Sequence, residues 1–246
     1  MLFLSKAKVA NNYFDFKQFR VNQSHAAMKV TTEGCILGAW TAALGLSPKR
    51  ILDIGSGTGL LSLMLAQQCT DAKIDAVELD QNAAVDARQN FELSPWLDRL
   101  NLIQKPIQEF VPQREYDLII SNPPFYKSSL KSPSYSINHA RHDDTLSQID
   151  LVNVVLECLS DSGTCAVLYP EREMNQFISL GHERGLFLNR RLNIYNHNQS
   201  SVFRVIGLFS TIVKTEIIEE KLLIRNSKNE YTRDFTNLLK EYYLHL

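Results

Sequence analysis

Arg50-Ile-Leu-Asp-Ile-Gly-Ser-Gly-Thr-Gly59 is the stretch that decides the fold. A short apolar run ends in a glycine turn, and Leu60, Leu61, Leu63, Met64 and Leu65 continue at once as a helix. A strand that passes through glycines into a helix N-terminus is the first βα unit of an α/β sheet that binds a nucleotide-like ligand. Gly55, Gly57 and Gly59 permit left-handed backbone and let a ligand approach bare amides. Two details separate this turn from the dinucleotide fingerprint. That pattern puts its third glycine where Leu60 stands. Asp53, two residues before the first glycine, suits a positive group on the ligand, and a pyrophosphate offers none.

Working outward, strands and helices alternate. Strands are expected at Lys73–Leu79, Arg99–Gln104, Tyr116–Ser121 and Thr164–Tyr169, with helices at Gln81–Glu92, Leu146–Ser160 and Arg172–Gly185. A polar loop spans roughly 127–145. Two further strands, Phe187–Tyr195 and Val202–Thr211, are separated only by Asn196–Ser201 and suit an antiparallel hairpin. The expected architecture is α/β: a mostly parallel seven-stranded sheet with an antiparallel edge hairpin and helices on both faces. That is the layout of class I methyltransferases, with a plain dinucleotide-binding fold as the alternative. With no repeat or flexible linker, one domain is expected. Residues 1–48 form a basic arm, 49–213 the catalytic core, and 214–246 a strand and amphipathic helix carrying Leu238, Leu239, Tyr242 and Tyr243.

Composition narrows the class. The 246 residues are 44% hydrophobic and 22% charged, which suits a globular chain. No run approaches the roughly 18 apolar residues of a membrane span, and the apolar run at Met1–Leu4 is too short for a signal peptide. A cytoplasmic, non-membrane protein is expected. Cys35, Cys69, Cys158 and Cys165 lack Cys-x-x-Cys spacing and the histidines are scattered, so neither a disulfide framework nor a metal site is expected. The net charge of −1 argues against a uniformly basic nucleic-acid binder. Residues 1–50, however, carry seven Lys/Arg against two acids, and residues 51–120 carry five against eleven. A basic arm before an acidic body suits one polyanion-facing surface, and equally a solvated segment.

Glu78 ends the second strand, in Ala-Val-Glu-Leu-Asp80, where a carboxylate accepts both ribose hydroxyls of a nucleoside. Asp80 competes for that role but stands where a helix N-cap is needed. Asp53 resembles the acid that methyltransferases hold near the methionine amino group of S-adenosylmethionine. An acid for the adenine amino group is expected after the third strand, yet Gln104-Lys-Pro-Ile-Gln108 has none and Pro106 stands about there. Gln108 or backbone amides are left for that contact.

The fourth strand runs straight into Asn122-Pro123-Pro124-Phe125. An amine on an aromatic ring or amide is a poor nucleophile because its lone pair is delocalised. Two acceptors, Asn122 Oδ1 and the Pro123 carbonyl, draw such a nitrogen toward sp3 geometry, and the prolines fix the turn. Phe125 offers a face for stacking a flipped base, worth about 1–3 kcal/mol. The expected reaction is methyl transfer from S-adenosylmethionine to a conjugated NH2 group, with no metal. The tetrad alone does not separate nucleobase adenine from guanine or a glutamine side chain.

Phe16-Lys17-Gln18-Phe19, Ala27-Met28-Lys29-Val30, Thr32-Glu33-Gly34 and Leu37-Gly38-Ala39-Trp40, together with the core motifs, Ser94-Pro-Trp96, Ala140-Arg141, Leu222-Leu-Ile-Arg225 and Tyr242-Tyr-Leu244, resemble the bacterial valine-tRNA adenine-N6 methyltransferase family. The resemblance covers essentially the whole chain, with Glu33 where Asp is expected and Phe125 where Tyr is common. It implies methylation of the adenosine 3′ of the anticodon, a tRNA anticodon stem-loop as partner and a monomeric enzyme. It also gives Lys17, Arg20 and Lys29 as phosphate contacts and Arg141 and His142 as like contacts beside the target base, with solvated charges or a satisfied loop histidine as the equal alternative. Trp40 and Trp96 read as packing residues. The rivals are a glutamine methyltransferase, short of its helical substrate domain, and a guanine-N2 rRNA enzyme, lacking a duplicated upstream domain. The rival outside the enzymes is a silent RNA-binding subunit, which has no need of an intact tetrad.

Overall fold

The computed structural model describes residues 11–124, 146–198 and 200–246. Phe125, Arg141 and His142 lie outside the described residues. A two-stranded hairpin, β1 (Tyr13–Asp15) and β2 (Arg20–Asn22), leads into helix α1 (Thr32–Ala43). Then follow β3 (Arg50–Ile54), α2 (Leu60–Gln68), β4 (Lys73–Glu78), α3 (Gln81–Glu92), β5 (Leu100–Gln104) and β6 (Tyr116–Ser121). The later elements are α4 (Gln148–Cys158), β7 (Leu159–Tyr169), α5 (Glu171–Arg184), β8 (Phe187–Tyr195), β9 (Arg204–Ser210), β10 (Ile218–Leu223) and α6 (Arg233–Leu239).

The main sheet runs β10-β8-β9-β7-β6-β3-β4-β5, so it has eight strands, not the seven expected. The added strand is the one read at the C-terminal extension. Only β9 opposes the rest, pairing antiparallel with both β7 and β8. Because β10 lies parallel outside β8, the hairpin is one strand in from the edge. Its sequence, Ile-Glu-Glu-Lys-Leu-Leu, buries only Leu222 fully, as befits an edge strand with one face toward solvent.

The central strands are buried on both faces, which explains their unbroken apolar runs. Side chains alternate: Ile51, Leu118 and Ile120 join a core with α1, α2 and α6, while Leu52, Ile54 and Ile119 join one with α4 and α5. The arm is thus part of the first core. Phe16 and Phe19 stack at 4.4 Å between ring centres, and Phe19 meets Trp96 edge-on at 5.7 Å. Trp40 is buried, so both tryptophans pack as expected. The Phe16–Tyr243 bridge and the Lys17 amide on the Tyr242 carbonyl (2.8 Å) fasten the hairpin to the residues after α6. Helix α1 buries every residue from Gly34 to Thr41, and its N-cap Thr31 accepts from the Gly34 amide.

Candidate active site

β3, β4 and β6 run parallel with Ile54 beside both Val77 and Ser121, so the glycine turn, Glu78 and Asn122 emerge at one sheet edge. Ser121 Oγ donates to the Ile54 carbonyl at 2.8 Å and locks the two strand ends together. Ligands of open α/β sheets bind at this carboxyl edge.

Gly55, Gly57 and Gly59 have φ of 68°, 57° and 81°. At Gly57 a side chain would meet nothing within 4 Å, so the turn offers an open backbone face. At Gly59 an added Cβ would stand 2.4 Å from the Phe91 ring, so only glycine fits between turn and helix. Glu78 Oε2 accepts from the Gly57 amide at 2.6 Å and Oε1 from the Asp80 amide at 2.7 Å. Asp80 itself caps α3, accepting from the Ala83 amide at 2.8 Å. Asp80 therefore holds the helix as a cap, and Glu78 faces the glycine turn.

Asp53 is fully buried on the α2 side of the sheet. Its Oδ2 takes both donors of Ser62, the hydroxyl at 2.7 Å and the amide at 3.1 Å. Its Oδ1 is buried with no hydrogen-bond partner among the described residues. Burial pushes this carboxyl up to about 7, against the Ser62 hydrogen bonds and helped by the Glu78 charge. A buried carboxylate oxygen short of a donor, beside an open glycine face and a ribose-type acid, fits the ammonium end of S-adenosylmethionine. Gln108 is exposed on a single 3-10 turn, Ile107–Glu109, beyond β5. That turn is joined to the site through the Lys105 amide on the Glu78 carbonyl at 3.1 Å.

Asn122 follows β6 directly, and its Oδ1 is buried without a partner among the described residues. Pro123 is buried and Pro124 exposed. Helix α1 forms the adjoining wall, for a Cβ on Gly34 would be 3.9 Å from Asn122 Nδ2 and 3.5 Å from Leu60.

Lys17, Arg20 and Lys29, the basic residues of the arm among the described ones, have protein partners. Lys17 Nζ donates to the Lys240 carbonyl at 2.5 Å. Arg20 pairs with Asp15 at 2.5 Å and lies over the Tyr13 ring. Lys29 Nζ donates to the Gln23 carbonyl. Lys17 and Arg20 remain exposed, on the hairpin rather than at the strand edge that carries Asn122.

The sequence reading missed the residues that hold the arm to this site. Asn90 of α3 accepts from the Asn22 amide at 2.7 Å and donates to the carbonyls of Asn22 and Thr58, both at 2.9 Å. Asp86, also buried, takes the His25 and Ala26 amides at 2.9 and 2.8 Å and His25 Nδ1 at 2.7 Å. Burial would raise this carboxyl, but those three donors hold it below its ordinary value. No helix among the described residues is long and apolar enough to cross a membrane, and none of their His, Cys, Asp and Glu residues group as a metal site.

The Methyltransferase small domain family matches residues 41–141. A tRNA1(Val) (adenine(37)-N6)-methyltransferase of Trichodesmium erythraeum is 40% identical over 96% of this chain and 99% of its own length. One of the same name from Dyadobacter fermentans is 41% identical over 95% and 98%. Among solved structures, a predicted O-methyltransferase of Agrobacterium tumefaciens superposes with a TM-score of 0.65 at 16% identity, covering 84% of this chain and 95% of that one. A ribosomal protein L11 methylase of Lactobacillus delbrueckii gives 0.54 at 15%, over 77% and 83%. At such identities these two speak for the fold.

Proposed function

We propose, since the chain belongs to the family of tRNA1(Val) (adenine(37)-N6)-methyltransferases, that it methylates the N6 amine of adenosine 37, beside the anticodon of tRNA1(Val). The observation that carries this reading is Asn122 Oδ1: a buried acceptor without a partner among the described residues, at the strand end next to the glycine turn. Such an atom is costly unless a donor meets it, and the N–H of a flipped adenine is a donor of the right kind.

S-adenosylmethionine supplies a methyl already activated on a sulfonium, so the protein's part is alignment. Asn122 Oδ1 and the Pro123 carbonyl accept the two amine hydrogens and aim the nitrogen lone pair. Pro123 and Pro124 hold that turn with fixed φ, and Phe125 stacks on the adenine. Asp53 balances the ammonium of the cofactor, Glu78 takes its ribose hydroxyls, and the side-chain-free faces of Gly55 and Gly57 line its approach. Gln108 meets the adenine end. The methylated nitrogen loses its extra proton to solvent, so no strong base is required.

Lys17, Arg20, Lys29 and Arg141 contact the phosphates of the anticodon stem-loop, and the enzyme acts as a cytoplasmic monomer. Labelled methyl transfer to separate tRNA, rRNA and protein fractions, followed by nucleoside analysis, tests the reading. N6-methyladenosine confined to tRNA is expected; label in protein, or as N2-methylguanosine, overturns it.

A further inference from the structure

We infer that the cleft between the β8–β9 loop, the β10–α6 turn and the first turn of α1 is a second RNA subsite, holding a single-stranded nucleotide that flanks the methylated adenine. The inference rests on the RNA-substrate reading above and adds to it a place where sequence context is read.

The cleft encloses about 450 Å³, a size suited to one nucleotide, and is lined by Glu33, His197, Phe203, Arg225, Asn229 and Tyr231 among others. Its location ties it to the chemistry. β8 and β10 run parallel to β6, so Tyr195 and Leu223 end at the edge where Asn122 emerges. Thr32 and Glu33 line the cleft, while the next residue, Gly34, packs against Asn122. One helical turn therefore walls both the cleft and the catalytic turn.

The lining chemistry suits a nucleotide. The Arg225 guanidinium lies 4.0 Å from the centre of the Tyr231 ring and donates through Nη1 to the Asn229 carbonyl at 2.6 Å. Asn229, at φ 62°, is the one non-glycine among the described residues in the left-handed region. Asparagine tolerates that conformation, which here turns its carbonyl onto Arg225. No carboxylate pairs with Arg225 among the described residues, and most of its five N–H donors stay available for a phosphate or a base edge. Tyr231, which carries Arg225 and stacks on Phe235 at 4.6 Å, anchors the guanidinium, and Phe203, with Arg204 over its ring at 4.2 Å, is the aromatic side chain left to meet a base. The one acid lining the cleft, Glu33, faces Arg204 at 3.7 Å, so its charge is compensated. The walls are also stitched together. The amides of Ile224 and Arg225 donate to the carbonyls of Tyr195 and Asn196 at 2.8 and 3.1 Å, and the Phe203 amide to Ile194 at 2.7 Å. A framed guanidinium loses little freedom on binding.

The test uses the full chain, S-adenosylmethionine and an RNA hairpin carrying the target adenosine in its loop. A matching set of hairpins has one flanking base removed at a time. Arg225→Gln is expected to raise KM for the hairpin about tenfold, the scale of one lost base or phosphate contact, with cofactor Kd and Tm unchanged. Loss of one particular flanking base should slow the wild type yet cost Arg225→Gln nothing further, the signature of a shared contact. Penalties that simply add at every position overturn the subsite, as does an unchanged KM. Should Arg225→Gln fold poorly, His197→Ala, exposed on the neighbouring β8–β9 loop, carries the same measurement. If the wild type methylates no adenine in any RNA, the substrate reading falls and the subsite with it. If the wild type is active and the variants match it, the subsite alone falls.

Discussion

Two buried aspartates and two asparagines, one buried and one half-buried, divide this molecule into a region that is finished and one that is poised. On α3, Asp86 receives three donors on its two oxygens, and Asn90 uses both its oxygen and its amide group. At the sheet edge, Asp53 has one oxygen satisfied and one without a partner among the described residues, and the Asn122 oxygen likewise lacks one there. Both aspartates have zero exposure, yet burial wins at Asp53 and raises its carboxyl, whereas hydrogen bonds win at Asp86 and lower it. Burial alone therefore does not mark a functional acid. The count of donors is what separates the two.

The comparison breaks first at Asn122. Asn122→Ala should cut kcat by about 10³-fold, the scale of one lost catalytic hydrogen-bonding group, while calorimetry finds cofactor binding nearly intact. Equal loss of both would make Asn122 a structural residue like Asn90. Next, Asp53→Asn should weaken S-adenosylmethionine about 30-fold, the ~2 kcal/mol or more of a truncated buried charge pair. The same variant carries a pH signature. Between the ordinary value of 3.8 and about 7, native Asp53 keeps a proton that the unfolded chain has lost. Wild-type stability should therefore fall as pH rises through that window. Asp53→Asn removes that slope, so its Tm at pH 8 should exceed the wild type's; a lower Tm would put Asp53 in the finished class.

Asp86→Asn should do the reverse and destabilise by about 2 kcal/mol in urea unfolding at pH 8, because it spoils hydrogen bonds made to a charge. Its carboxyl is held low, so the stability it contributes is present at neutral pH and is lost only as pH falls through that lowered value. The smallest effect is at Lys17. Its ammonium already serves the Lys240 carbonyl, so Lys17→Ala should lower the salt slope of RNA affinity by less than ~1.

What was legible in the sequence were features of local chemistry. The glycine turn, the split between Glu78 and Asp80, and the central strands all announce themselves within ten residues. Helix α1 did not, because a helix buried nearly all round from Gly34 to Thr41 lacks the polar stripe that marks a surface helix. β10 was visible as a strand but not as a member of the sheet, since its pairing with β8 spans the whole hairpin. Asp86 and Asn90 were not singled out in the helix expected at Gln81–Glu92. They are interior only because the arm lies across them, and nothing in α3 itself tells of that cover. Phe16 and Phe19 stood out as a motif, but their stacking inside the core is a tertiary fact.

The union of Phe16 and Lys17 with residues near 240 also sets an order in time. The contact closes a separation of 223 residues, so during synthesis the hairpin leaves the ribosome long before its partner exists. The β3–β7 core, built from neighbours in the chain, assembles first. The arm is clasped only after the last strand and helix have been made, so a nascent chain completes the sheet edge that carries the glycine turn before its N-terminal hairpin is fixed.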